Sequence, residues 1–128
     1  MYLIAHKTAI KRWISGIFQC REEALAYLAI APSENQPYLI ESKLQNYPVY
    51  LLESFGLEFA LLDVSEILQY CTHLERRGDD WCYGNLYLIR QDWQAPKVGA
   101  DYMGLLPHLH LDNGYLDRLQ STPILDCF

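Results

Sequence analysis

The side chains best able to do chemistry together stand in the run His108-Leu-His-Leu-Asp112. Along an extended chain alternate residues share a face, so His108, His110 and Asp112 would project to one side. Two imidazoles and a carboxylate are donors that a divalent metal accepts. That geometry depends on an extended backbone, and Pro107 and Gly114 stand close to either end of the run. Neither an HExxH motif nor a second ligand set accompanies it. The three residues are therefore read as surface side chains of a chain without a cofactor, and as the place to look for a metal.

Cys20 stands just ahead of a helix, where a Ser or Thr cap would be usual and where a thiol can become reactive. Glu22 and Glu23 beside it oppose a thiolate, and His6, His73, His108 and His110 occupy no spacing that marks a base. Cys20 is read as a helix cap. Cys71, Cys82 and Cys127 complete a set of four that contains no CxxC pair, so free thiols are expected. No GxGxxG, P-loop, GxSxG or EF-hand pattern occurs, and pairs of acids such as Glu53 and Glu58 carry no geometric information. No catalytic residue is named.

Charge and aromatic content point elsewhere. The formal charge is −6, yet residues 1–21 hold four basic residues and no acid, leaving −10 for the remainder. An acidic domain gains nothing from counterion release on nucleic acid, whereas the same bias steers a basic protein partner. Ten Tyr, three Trp and four Phe make the chain 13% aromatic, more than a core of this size needs. Trp81, Tyr83 and Trp93 stand beside Asp79, Asp80 and Asp92. Aromatic anchors flanked by acids suit a protein-binding surface. The expected function is a non-enzymatic protein-binding module, most concretely a small acidic inhibitor or immunity-type protein that neutralises a basic enzyme or toxin domain. The alternatives are a small enzyme or metal-binding protein using His108, His110 and Asp112, and a small-molecule-binding regulatory domain.

These side chains need elements to hold them. The run from Tyr47 to Glu53 is apolar in both phases, as a strand covered on both sides would be. After the apolar stretch 57–62, Asp63 opens a helix in which Val64, Ile67, Leu68, Cys71 and Leu74 recur at spacings of three and four. Asp63 and Glu66 have the form of a capping box, and Gly78 fits a helix end. Strands are expected over 2–8, 13–19, 38–44 and 85–90, and a first helix over 19–31, with Ala24, Leu25, Leu28 and Ala31 on its apolar side. From 94 onward Pro and Gly interrupt an otherwise apolar stretch, read as an irregular segment wrapping the domain, with a helical turn at 115–119.

The expected fold is α+β: a mostly antiparallel sheet with two helices on one face, in the order ββα-ββ(β)-α-β, as a single domain over 1–128. No internal repeat is visible. No apolar run reaches the roughly 18–20 residues that a membrane span requires. The first five residues are too short for a signal peptide's apolar core, so a cytoplasmic location is expected.

Overall fold

The computed structural model describes residues 1–54, 59–76, 84–91, 93–111 and 121–128. It divides into two compact units, one made of Met1–Tyr47 with Arg90–Leu106 and the other of Pro48–Ile89 with Pro107–Phe128.

In unit 1, β1 (Tyr2–Lys7) and β2 (Arg12–Phe18) form a hairpin, α1 (Arg21–Ile30) follows, and β3 (Pro37–Glu41) returns to the free flank of β1. All pairing is antiparallel, in the order β2-β1-β3. The hairpin register slips by one residue, because Ile4 faces Gly16 while Ala5 faces Ile14. Ser15 is thus left without a partner on β1, as the extra residue of a β-bulge.

Helix α1 covers the face of the sheet that carries Ile4 and Phe18, burying Ala24 and Tyr27 there. Tyr27 replaces the expected Leu25, which lies at the helix rim, 36% exposed. Ala24, Tyr27, Leu28 and Ala31 form a tighter stripe than one through Leu25, and the Tyr27 hydroxyl finds partners inside. Cys20 is the N-cap residue, as read, but its thiol makes no capping hydrogen bond. Pro32 follows the extended Ala31 and ends the helix.

In unit 2, β4 (Val49–Glu53) is an interior strand flanked by β5 (Ala60–Leu62) and β6 (Gly84–Ile89), with β7 (His108–Leu111) beyond β6. Every pair is antiparallel. Both phases of β4 are buried, as its composition requires. Tyr50 and Leu52 join Leu86, Leu88, Leu109 and Leu111 on one face, where Ile67 and Cys71 of α2 (Val64–Arg76) meet them. Ile124, in a 3₁₀ turn at Ile124–Cys127, packs into the same cluster. The capping box forms in full: the Glu66 amide donates to Asp63 Oδ1 at 2.8 Å, and the Asp63 amide donates to Glu66 Oε1 at 3.2 Å.

The α+β class, the antiparallel pairing and the element order agree with the sequence reading. The strands are shared between two sheets rather than gathered in one, and each unit has its own helix. Within the stretch read as irregular, β7 is a regular strand, and the chain on either side of Leu106 belongs to different units. The helical turn expected at 115–119, the helix end at Gly78 and Cys82 lie outside the described residues. No helix among those residues is long and apolar enough to cross a membrane.

Candidate functional site

On β7, side chains alternate between solvent and core. Leu109 and Leu111 enter the unit 2 core, and His108 and His110 are exposed on the opposite face. The extended backbone that the metal geometry requires is therefore present at both histidines. Across the ladder, His110 stands opposite Asn85, and Asn85 stands opposite Glu53, so an imidazole, an amide and a carboxylate form one row over three strands. Asn85 Nδ2 donates to Glu53 Oε1 at 3.0 Å, while its buried Oδ1 has no hydrogen-bond partner among the described residues. The His108 ring tilts against Tyr87, with centroids 5.5 Å apart.

Distance decides what the two imidazoles can do as they stand. Zn–N bonds of about 2.0–2.1 Å on a tetrahedral ion bring two ring centres to roughly 5 Å. The His108 and His110 centroids are 6.3 Å apart and edge-on, so the rings as they stand do not share one ion. Asp112, the third residue of that reading, lies outside the described residues. Among the described residues, no group of three or more His, Cys, Asp or Glu is placed to hold a metal.

A second cluster was not anticipated from the sequence. His6 and Trp13 are cross-strand partners whose rings stack 4.7 Å apart at an interplanar angle of 10°. The bulge at Ser15 sets its hydroxyl 2.6 Å from His6 Nε2. A serine oxygen on an imidazole nitrogen has the form of a nucleophile and its base, and the Asp101 carboxylate acts on the ring through space. Yet His6 and Ser15 are both 0% exposed, and catalysis needs a reacting atom within about 3 Å of the hydroxyl. Burial at this depth makes the pair a structural one. It also holds the His6 ring below its ordinary pKa, because desolvation outweighs the opposing effects of the Asn35 backbone and Asp101. The imidazole is neutral near neutral pH.

Cys20 is exposed at the mouth of a cavity of about 270 Å³, lined also by Glu23, Tyr47 and Gln94. Among the described residues that lining holds one carboxylate and neither a cation nor an imidazole to activate the thiol. Along the outer side of α2 runs an open groove of about 480 Å³, lined by Ser65, Leu68, Gln69, Thr72 and His73.

Of the residues proposed for partner binding, Asp79, Asp80, Trp81, Tyr83 and Asp92 lie outside the described residues. Trp93 is half-buried in unit 1, its amide bonded to the Arg90 carbonyl at 3.3 Å. Charge separates the two units sharply. The chain of unit 1 carries 7 basic and 6 acidic residues, net +1, and that of unit 2 carries 3 basic and 10 acidic, net −7; together these give the −6 of the whole. No protein family, curated protein or solved structure was found to match the chain.

Proposed function

We propose that this chain is a protein-binding module without catalytic activity of its own, which works in the cytoplasm as an acidic inhibitor of the immunity type. Its target would be the basic surface of an enzyme or toxin domain. The observation that supports this most is the confinement of the acidic excess to unit 2, at net −7 against +1 for unit 1. A field concentrated on one unit attracts and orients a cationic partner, where the same charge spread evenly would chiefly aid solubility. Asp79, Asp80, Trp81 and Tyr83 belong to the stretch of chain between α2 and β6, within this acidic unit. In the proposed complex the aspartates speed encounter and the aromatic rings provide the desolvated contact.

Affinity capture from native lysate, followed by stopped-flow kinetics with the purified partner, tests this reading. Asp79→Asn combined with Asp80→Asn should slow association and flatten its salt dependence. Trp81→Ala should act mainly on dissociation. An association rate that those two charge substitutions leave unchanged at low salt would refute steering. The metal-binding alternative keeps one observation in its favour, the row of Glu53, Asn85 and His110 beside His108 on one sheet face.

A further inference from the structure

In unit 1 the stretch 94–103 lies along β2 as a strap. Gln94 bridges to Gly16, and the Ala95 amide donates to the Ser15 carbonyl at 3.0 Å. Gly99 is the strap's main fastening. Its carbonyl accepts from Trp13 Nε1 at 2.8 Å and from Asn35 Nδ2 at 3.4 Å, and its amide donates to the Tyr27 hydroxyl at 3.3 Å. That hydroxyl in turn donates to the Ser15 carbonyl at 2.9 Å. With φ at +80° and Pro32 Cδ only 2.8 Å from where a Cβ would sit, this position favours glycine. Further along, Asp101 pairs with Lys11 at 3.2 Å, and Met103 Sδ accepts from the Ile14 amide at 3.3 Å.

His6 lies beneath these fastenings. Its two close neighbours, Trp13 and Ser15, are the residues of β2 that grip Gly99 and Ala95. We propose that His6 is an acid-sensitive latch: neutral, it packs the strap closed, and protonated, it releases residues 94–103 from β2. A charged ring at this depth is shielded from solvent, and its Nδ1 makes no hydrogen bond of good geometry among the described residues, although the Asn35 backbone lies close enough to favour the proton. Release of the strap would hydrate it.

The groups around the ring set the balance. From the strap, the Asp101 carboxylate favours the charged ring, and Lys11, which pairs with Asp101 and lies 5.0 Å over the Trp13 ring, opposes it. The Asn35 backbone favours the proton. Helix α1 presents the uncharged Tyr27 hydroxyl to Ser15 and Gly99, and β3 places Pro37 opposite His6. Glu34 and Lys97, on the turn and the strap, are exposed. Burial prevails, so the closed state binds the proton more weakly than the open one. Closure is thus complete above the ring's ordinary value of 6.5 and is lost as pH falls from there toward the lowered value of the closed state. Within that window the open-to-closed ratio changes by up to about tenfold per pH unit.

Amide hydrogen exchange of the full chain at pH 7.5 and 5.0, corrected for intrinsic chemistry, tests the latch. Protection over 95–103 should fall about tenfold at the lower pH, while β4 and β6 keep theirs. His6→Gln, which retains a polar partner for Ser15 but does not titrate here, should show no such step. Should that variant fail to fold, an NMR titration of the wild-type His6 ring replaces it, with a midpoint expected to coincide with that of the strap amides. Asp101→Asn should retain the step and move it to lower pH. A wild-type strap whose protection does not change, a step that persists in His6→Gln, or one that vanishes in Asp101→Asn would each overturn the proposal.

Discussion

Ile67 and Leu68 are neighbours on α2, and truncating each should separate the fold described here from one with the helix turned by a single residue. Ile67 is 0% exposed and belongs to the cluster with Tyr50, Leu52, Leu86 and Leu88. Leu68 packs against that cluster only in part and also lines the outer groove. Ile67→Ala removes fully buried methyl groups and leaves a cavity that a tightly packed core cannot close, which costs about 2–5 kcal/mol. Alanine's better helix propensity recovers at most a few tenths of this. For Leu68→Ala the lost apolar area is smaller and the gap opens to solvent, so roughly 1–2 kcal/mol is expected at about 25 cal/mol per Å². Urea unfolding with unchanged m-values would measure both differences. If Leu68→Ala costs as much as Ile67→Ala or more, α2 presents a different face to the sheet, and Ile67 is not the residue that fills the unit 2 core.

Asp63→Ala should lower stability by about 0.5–2 kcal/mol, seen in thermal melts, because it removes the acceptor for the Glu66 amide. Glu66→Gln, which can still accept from the Asp63 amide, should cost less. Purified protein should contain no stoichiometric zinc, manganese or iron. Elemental analysis near one equivalent, lost on His110→Ala, would instead establish the metal reading.

How much of this was legible in the sequence depends on how local each feature is. The capping box is a pattern of two residues three apart, and Asp63 and Glu66 bond as the pattern requires. The interior position of β4 follows from apolar residues in both phases, which no half-exposed strand would carry. The division into two sheets is a matter of which distant strands pair, and composition is silent on that. Strand β7 does alternate, as His108 to Leu111 show, but Pro107 and Gly114 mask the signal. At Leu68, period alone gave it the same standing as Ile67. The largest omission was the cluster around His6. A bulge has no compositional mark, so nothing in the sequence announced that Ser15 would turn its hydroxyl onto that ring. Burial of a histidine beside a tryptophan is a cross-strand fact, visible only once the register is known.

The register also exposes a repetition that the sequence hides. In unit 1 the first strand is central, the second lies on one flank, a helix follows, and the third strand takes the other flank; β4, β5, α2 and β6 are connected in the same way. In both cases the helix joins two strands that run parallel with an antiparallel strand between them, a split β-α-β arrangement. No periodicity in the residues accompanies this, because the arrangement asks only for apolar residues at core positions and breakers at the turns. What differs between the two units is chemistry laid over a common topology. Unit 1 is nearly neutral and encloses a titratable ring beneath a strap, whereas unit 2 carries net −7 and presents its histidines to solvent. Since topology does not determine function, the two halves can serve different ends. If partner recognition is the work of the acidic unit and pH response that of the other, as proposed, substitutions at Asp79 and Asp80 should leave the His6 titration untouched.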